Sequence, residues 1–292
     1  MIDLHVHSHY SPDAESSPAA LIDAALRAGV RLLSITDHNG IDHIEPALDA
    51  AAGKALRLLP GLELTCASPA FGLDEIHILA HFQLVDNSPW SHSALAAIVA
   101  EIAAVQAQNL TSLLRGLDIP VENLERARQS LIQSGQLAAV ARPSFHLFKR
   151  CARNLSPFPW AEMKLKRDRV ITDLRKDNLW YPFPSVDHVL QVLNSVGATA
   201  TLAHPGRYAL DADKLSTLLD SLKFQGLMGL EAIYFPQFDS SHSFISLARA
   251  KGCFITAGSD SHSARSMLLP SYIQLINSAA ALTTSPWRPD KM

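Results

Sequence analysis

At 292 residues, with 48% hydrophobic and 18% charged residues, the chain can bury a large core, and this balance excludes a disordered segment, a coiled coil or a collagen-like fibre. Lys and Arg number 25 against 28 Asp and Glu; the formal charge of −3 excludes a globally basic nucleic-acid binder. No stretch approaches the roughly 18 unbroken apolar residues of a membrane span, and the start MIDLHVHS lacks a basic region followed by an apolar run, so a cytoplasmic chain with no membrane partner is expected.

Met1 to His7 reads as a strand. Ser17 and Pro18 supply an N-cap and a proline at the first helical position, opening a helix to about Arg27 that Gly29 ends. RLLSIT is a second strand ending at Thr36, Ile44 to Ala52 a second helix, and ALRLLPGLEL a strand running to Leu64. Ala67 to Asp74 reads as a turn or loop before the strand EIHILAHF. From about Asn87 to Pro184 this rhythm breaks. Ser91 to Leu114 is a long Ala/Leu/Gln helix, and PVENLERARQSLIQSG is another, with Gly135 as its C-cap. The rhythm resumes near Ser185 with helix VDHVLQVL, strand ATATLAH, helix DKLSTLLDSL, strand GLMGLEAIYF, helix FISLARA and strand CFITAG. An α/β fold follows: a parallel barrel or open sheet from residues 1–86 and 185–292, with a helical insertion at 87–184. Between Lys149 and Lys176 the insertion carries nine Lys or Arg against Glu162, Asp168 and Asp173, which suits a solvated helix face or a cap that attracts a phosphorylated substrate. The tail after Ala279 has little periodicity. Cys66, Cys151 and Cys253 form no CxxC pair and are expected as reduced core residues.

The placement of histidine carries the chemistry. His5 and His7 stand two apart in DLHVHS, so on a strand both imidazoles share one face. Other polar groups follow where predicted strands end: Asp37 and His38 in ITDHN, Glu63 in GLEL, His204 in LAHPGR, and Asp260 and His262 in GSDSH. His77, in EIHIL, adds an apolar-flanked histidine. In a parallel α/β fold the carboxyl ends of the strands line one rim, so residues this far apart can meet in one pocket. A single histidine on an apolar strand is more often a satisfied core residue; several together point to a shared ligand set. Imidazole with carboxylate suits zinc, manganese or iron, and the lack of clustered Cys argues against a structural zinc site. His5, His7, Asp13, His38, Glu63, His77, His204, Asp260 and His262 are nine candidates, too many for one ion. Two or three divalent ions fit, manganese favoured, with a carboxylate such as Glu63 bridging. Such clusters activate a water and clamp a phosphoryl group, so no protein nucleophile is required.

HVH, Asp13, TDH, GLE, the apolar-flanked His77, AHPGR and GSDSH resemble, in order, the motifs of the PHP family, the polymerase and histidinol phosphatase superfamily, over residues 1–85 and 185–265. The helical insertion after His77 is similar to the branch that includes nucleoside 3′,5′-bisphosphate phosphatases and a related RNA-trimming enzyme. The resemblance implies a distorted (β/α)7 barrel with a trinuclear site. One metal would take His5, His7, Glu63 and Asp260, a second Asp13, His38 and His262, and a third Glu63, His77 and His204. It favours Asp13 over nearby His9 in the second set. Asp37 reads either as a group that orients His38 or as a strand-end cap.

Arg207 in HPGR and Arg142 in VARPSF are candidates to hold a substrate phosphate, because a guanidinium meets phosphate oxygens with a bidentate fork; the alternative is an ordinary surface arginine. The chain has Arg142-Pro143-Ser144 where the branch has RPH, and its next Gly/Lys-rich segment is replaced, which leaves nucleotide specificity open. The implied activity is that of a metal-dependent phosphoesterase acting on a small phosphorylated substrate, a nucleotide such as a nucleoside 3′,5′-bisphosphate or a short RNA or DNA, with no obligate protein partner. Histidinol-phosphate hydrolysis is a rival that the long insertion disfavours. A non-catalytic PHP module binding nucleic acid or protein is disfavoured by the full ligand set, and C–N hydrolysis by the lack of lysine in these motifs.

Overall fold

The computed structural model describes residues 1–84, 88–155, 160–234 and 241–269; the expected 86/87 boundary and the tail after Ala279 lie outside the described residues. β1 (Ile2–Val6), β2 (Leu32–Ile35) and β3 (Arg57–Leu58) form a parallel three-stranded sheet. α1 (Pro18–Arg27) joins the first two strands. The Ser17 side chain caps it by accepting from the Ala20 N–H, and Gly29 leaves it at φ +83°. α2 (Ile44–Ala51) leads into β3.

ALRLLPGLEL is not one strand. Pro60 has no N–H to give a ladder, so β3 stops before it and β4 (Gly61–Ser68) begins a second sheet. A short 3₁₀ turn at Pro69–Phe71 and left-handed Gly72 (φ +68°) then reverse the chain into β5 (Leu73–His81). So short a connection can only return the chain antiparallel, which corrects the all-parallel expectation: β5 runs against β4 and against β6 (Thr199–Leu202). β7 (Gly229–Tyr234) and β8 (Phe254–Gly258) complete the five-stranded sheet in parallel with β6.

Among the described residues the strands form these two sheets, and no continuous closed ladder joins them. The sheets meet at two seams. Val6 bridges to Ser261, with the Asp260 N–H donating to His5 O at 2.8 Å, and His38 bridges to Glu63, with the Asn39 N–H donating to Glu63 O at 2.8 Å. Both seams are built from segments carrying expected ligands.

α7 (Val186–Ser195), α8 (Ala212–Phe224) and α9 (Ser241–Ala250) contribute to the core of the five-stranded sheet. The insertion contributes α3 (Ser93–Gly116), α4 (Val121–Gln133), α5 (Phe145–Leu155) and α6 (Trp160–Lys176). By length and composition alone α3 is apolar enough to cross a membrane. Its stripe is instead divided between two cores: Leu95, Ile98 and Ile102 join that of the five-stranded sheet, while Leu110, Leu113 and Leu114 meet Leu147, Phe148 and Met163 within the insertion. Each such side chain contributes about 1.5–3 kcal/mol on full burial, so α3 is the spine that fixes the insertion over the sheets.

Candidate metal centre

The period of two along β1 sends His5 and His7 to the same face, with their Nε2 atoms 3.1 Å apart and both rings fully buried. Gly258 on β8 lets that face close: a Cβ there would lie 2.2 Å from Glu231 Oε1 and 2.3 Å from His5 Cβ. Two ligand candidates sit in left-handed backbone just past strand ends, His204 at φ +28° and Asp260 at φ +52°. Such conformations cost roughly 1–3 kcal/mol and persist only where the surroundings hold them. Here the His204 N–H donates to Glu231 Oε2 at 2.7 Å, and the Asp260 N–H to His5 O at 2.8 Å.

Glu63, on β4, is the hub. Its Oε1 lies 2.8 Å from His77 Nδ1, 3.0 Å from His204 Nε2 and 3.4 Å from His5 Nε2. Its Oε2 lies 2.8 Å from His38 Nδ1 and 3.4 Å from His7 Nε2. Asp260 Oδ1 approaches His7 and His5 at 3.2 and 3.6 Å, and Asp13 Oδ2 approaches His262 and His38 at 3.4 and 3.7 Å. All nine expected side chains therefore meet in one cluster. His77 reaches the cluster from the middle of the antiparallel β5, opposite Thr65.

Donor atoms group into overlapping triads: His5, His7 and Asp260; His7, His38 and His262; His38, Glu63 and His77; and Asp13, His38 and His146. Asp13 Oδ1, His204 Nδ1 and His146 Nδ1 are buried without a hydrogen bond, and Glu63 Oε2 and His38 Nδ1, though 2.8 Å apart, do not meet in hydrogen-bond geometry. Buried polar atoms are rarely left so, and a nest of them made of imidazole nitrogens and carboxylate oxygens is the donor set that divalent cations satisfy. The residues present fit a cluster of metal ions.

The charges are strongly coupled. Burial alone would raise the Glu63 carboxyl, but His77, His5 and His38 hold it well below the usual carboxylate range. Burial lowers His38 and His77, yet Glu63, joined by Asp13 at His38 and by Glu75 at His77, lifts them to about 10 and about 9. His7 moves the other way: burial, then the charges on His38 and His262, bring it down to about 4.

Around this cluster several residues orient the rings. Glu231 Oε1 accepts from His5 Nδ1 at 3.0 Å, which leaves Nε2 facing the cluster. Asp37 does not orient His38 directly. It accepts from the hydroxyls of Ser8 and Ser11 at 2.5 and 2.6 Å, and Ser11 Oγ in turn lies 3.1 Å from His7 Nδ1 and accepts the His38 N–H at 2.9 Å. His9 lies apart, its Nδ1 3.2 Å from Gly135 O, so Asp13 is the residue of that loop in the cluster. Arg207 donates to Asp260 Oδ2 at 2.5 Å with its side chain 47% exposed, leaving other N–H groups turned to solvent. Arg142 is exposed and lines a recess beside His38, Asp37 and Tyr10.

Sequence reasoning missed Glu231 and His146. Glu231 had a signal: Gly229-Leu230-Glu231 repeats the triplet Gly61-Leu62-Glu63, a lone acid inside an apolar strand. His146 sits on helix α5 of the insertion, where a rule about strand ends does not look.

A PHP domain model matches residues 3–133. A 3′,5′-nucleoside bisphosphate phosphatase of Chromobacterium violaceum is 27% identical over 274 residues, spanning 89% of this chain and 87% of its own. The 5′-3′ exoribonuclease Rnm of Escherichia coli is 30% identical over 270 residues, spanning 89% and 84%. In fold, the chain is similar to a Bifidobacterium adolescentis protein (TM-score 0.66, 20% identity, 98% and 97% covered) and to a sulfate-bound amidohydrolase structure from C. violaceum (TM-score 0.60, 22% identity, 99% of each). The ordered motifs, their convergence on one buried cluster and these similarities lead to one conclusion: the chain belongs to the PHP-domain family of phosphoesterases.

Proposed function

We propose that this chain hydrolyses a phosphate ester of a nucleotide-type substrate, either a nucleoside 3′,5′-bisphosphate or the end of a short oligonucleotide, at a site holding two or three divalent ions. The observation that carries this reading is Glu63, whose carboxylate meets five imidazoles within 3.4 Å. In the assignment we favour, His5, His7, Glu63 and Asp260 hold one ion, Asp13, His38 and His262 a second, and Glu63, His77 and His204 a third. Bound there, such ions supply Lewis-acid polarisation of phosphoryl oxygens and activation of the attacking water, manganese being the favoured identity over iron or zinc. The two sheets are then read as a distorted barrel opened at the seams that carry the ligands.

The rest of the work falls to the chain's own residues. Glu231 holds His5 in one tautomer, and Asp37, through Ser11, does the same for His7. Arg207 pairs with Asp260, whose carboxyl, against the effect of burial, His5, His7 and His262 hold well below the usual carboxylate range, and offers its remaining donors to a phosphate, while Arg142 guards the recess beside His38. The insertion over the rim serves as the substrate cap. Three buried free thiols, Cys66, Cys151 and Cys253, support a reducing, cytoplasmic setting for the reaction.

A screen of manganese-loaded protein for inorganic phosphate freed from mononucleotides, 3′,5′-bisphosphates and histidinol phosphate, and for mononucleotides freed from short 5′-phosphorylated RNAs, tests the proposal. Turnover of a bisphosphate or of the RNA above the other substrates supports it. Preference for histidinol phosphate, or no release from any of them, overturns it.

A further inference from the structure

Helix α5 belongs to the insertion, yet it enters the metal cluster. His146 is buried, its ring lies flat against that of His38 (centroids 4.2 Å apart, planes 13° apart), and its Nδ1 has no hydrogen-bond partner. A nitrogen of His146, one of His38 and a carboxylate oxygen of Asp13 all lie within 4.8 Å of one another. Four residues further along the same helix face, Arg150 reaches the loop that carries Asp13 from both sides, donating to Pro12 O at 3.3 Å and to Ala14 O at 2.7 Å. The same loop is tied to the segment before α5 by the Ala138 N–H, which donates to His9 O at 2.8 Å, and by His9 Nδ1, 3.2 Å from Gly135 O.

We infer that His146 is a ligand from the insertion to the ion shared by Asp13 and His38, and that Arg150 on the same helix fixes the Asp13 loop so that this site is complete only when the insertion is docked. A solvated or merely packed histidine accounts poorly for the arrangement. An imidazole closed off from water with an unpaired ring nitrogen is costly unless something accepts its lone pair, and the neighbours in reach are another imidazole and a carboxylate. A divalent cation satisfies all three. By linkage, ion binding at this site and docking of α5 strengthen each other by the same factor. The cap would thus be set by metal occupancy before any substrate arrives. This inference rests on the metal centre of the proposed function but not on the substrate, so its test reads metal and structure and not turnover.

A crystal structure of the wild-type protein grown with manganese, phased on the manganese anomalous signal, is the direct test. It should show a ring nitrogen of His146 at bonding distance, roughly 2.0–2.3 Å, from the ion held by Asp13 and His38. In parallel, metal titrations of His146→Gln and Arg150→Met against a chelating indicator should show that site weakened. Loss of a group that only orients a ligand costs roughly 10–100-fold in affinity, so tenfold is the smallest loss expected for His146→Gln, with a smaller loss for Arg150→Met. Manganese should also slow amide exchange in residues 145–155 of the wild type and not of His146→Gln. A His146 ring more than about 3.5 Å from every ion, beyond hydrogen-bond reach let alone a bond, overturns the inference even if the protein proves to be an active phosphoesterase. So does unchanged affinity in His146→Gln. If the ions bind as inferred but no nucleotide is hydrolysed, the functional proposal fails and this one stands.

Discussion

Glu231 supports two ligands at once, which makes its isosteric replacement informative. Its Oε1 accepts from His5 Nδ1 at 3.0 Å and its Oε2 accepts the His204 N–H at 2.7 Å. In Glu231→Gln only one oxygen remains, so one of these two buried donors must face an NH₂ group. If the oxygen stays with His204, His5 can keep a partner only by moving its proton to Nε2, the atom that faces His7 and Glu63. If the oxygen turns to His5, the strained backbone at His204 loses the bond that holds its N–H. Leaving a buried donor unsatisfied costs about 1–3 kcal/mol, or roughly 5- to 150-fold in an equilibrium constant, in line with the roughly 10–100-fold seen when a ligand's orienting partner is removed. Titration of the variant and the wild type with manganese against a chelating indicator should show a loss of that size, with the fold retained by circular dichroism. Affinity within about twofold of wild type, well under the smallest loss argued here, would refute the assignment of Glu231 as the group that sets the His5 tautomer.

Four other outcomes are expected. In chelator-treated protein His38 and His77 are raised to about 10 and about 9, so the stability they contribute is complete below their unfolded value near 6.5 and is lost as pH rises through 9 to 10; urea midpoints should fall over that window. Because ligation needs neutral imidazole, manganese binding near pH 7.5 should release protons, measurable by calorimetry in buffers of different ionisation enthalpy, and binding without proton release would contradict the placement of these two rings. Gly258→Ala places a methyl against Glu231 Oε1 and His5 Cβ; overpacking of this kind costs about 1–3 kcal/mol, so thermal denaturation should show a clear loss of stability, and a neutral variant would mean that the strands separate easily there. Arg207→Ala should lower kcat/KM on a bisphosphate by about tenfold or more, with a smaller loss on a monophosphate, and equal losses on both would move Arg207 to the reacting phosphoryl group.

Much of the site was legible because its grammar is local. His5 and His7 share a face by the period of a strand, and TDH, AHPGR and GSDSH each follow the end of one, so most of a convergent rim followed from spacing; GLE is the exception, because Glu63 stands near the start of β4 and not at a strand end. What was not legible depended on direction and on distant partners. The reversal at Pro69–Phe71 makes β5 antiparallel, which no alternation of apolar residues announces, and Pro60 splits a run whose hydrophobicity is continuous. Asp37 was noticed beside His38, but its hydroxyl partners Ser8 and Ser11 come from the loop after β1, a contact set by tertiary packing. His146 was hidden for a related reason. An amphipathic helix accounts for a histidine on its own terms, and only the docking of α5 against the Asp13 loop brings the ring over His38.

The central claim is that Glu63 is shared between ions at this cluster. Its most direct measurement is the metal content per chain, by plasma mass spectrometry, of protein purified without chelator and supplied with manganese, wild type beside Glu63→Gln. Two or three ions in the wild type and at least one fewer in the variant are predicted. One ion or none in the wild type, or an equal count in the variant, would contradict it.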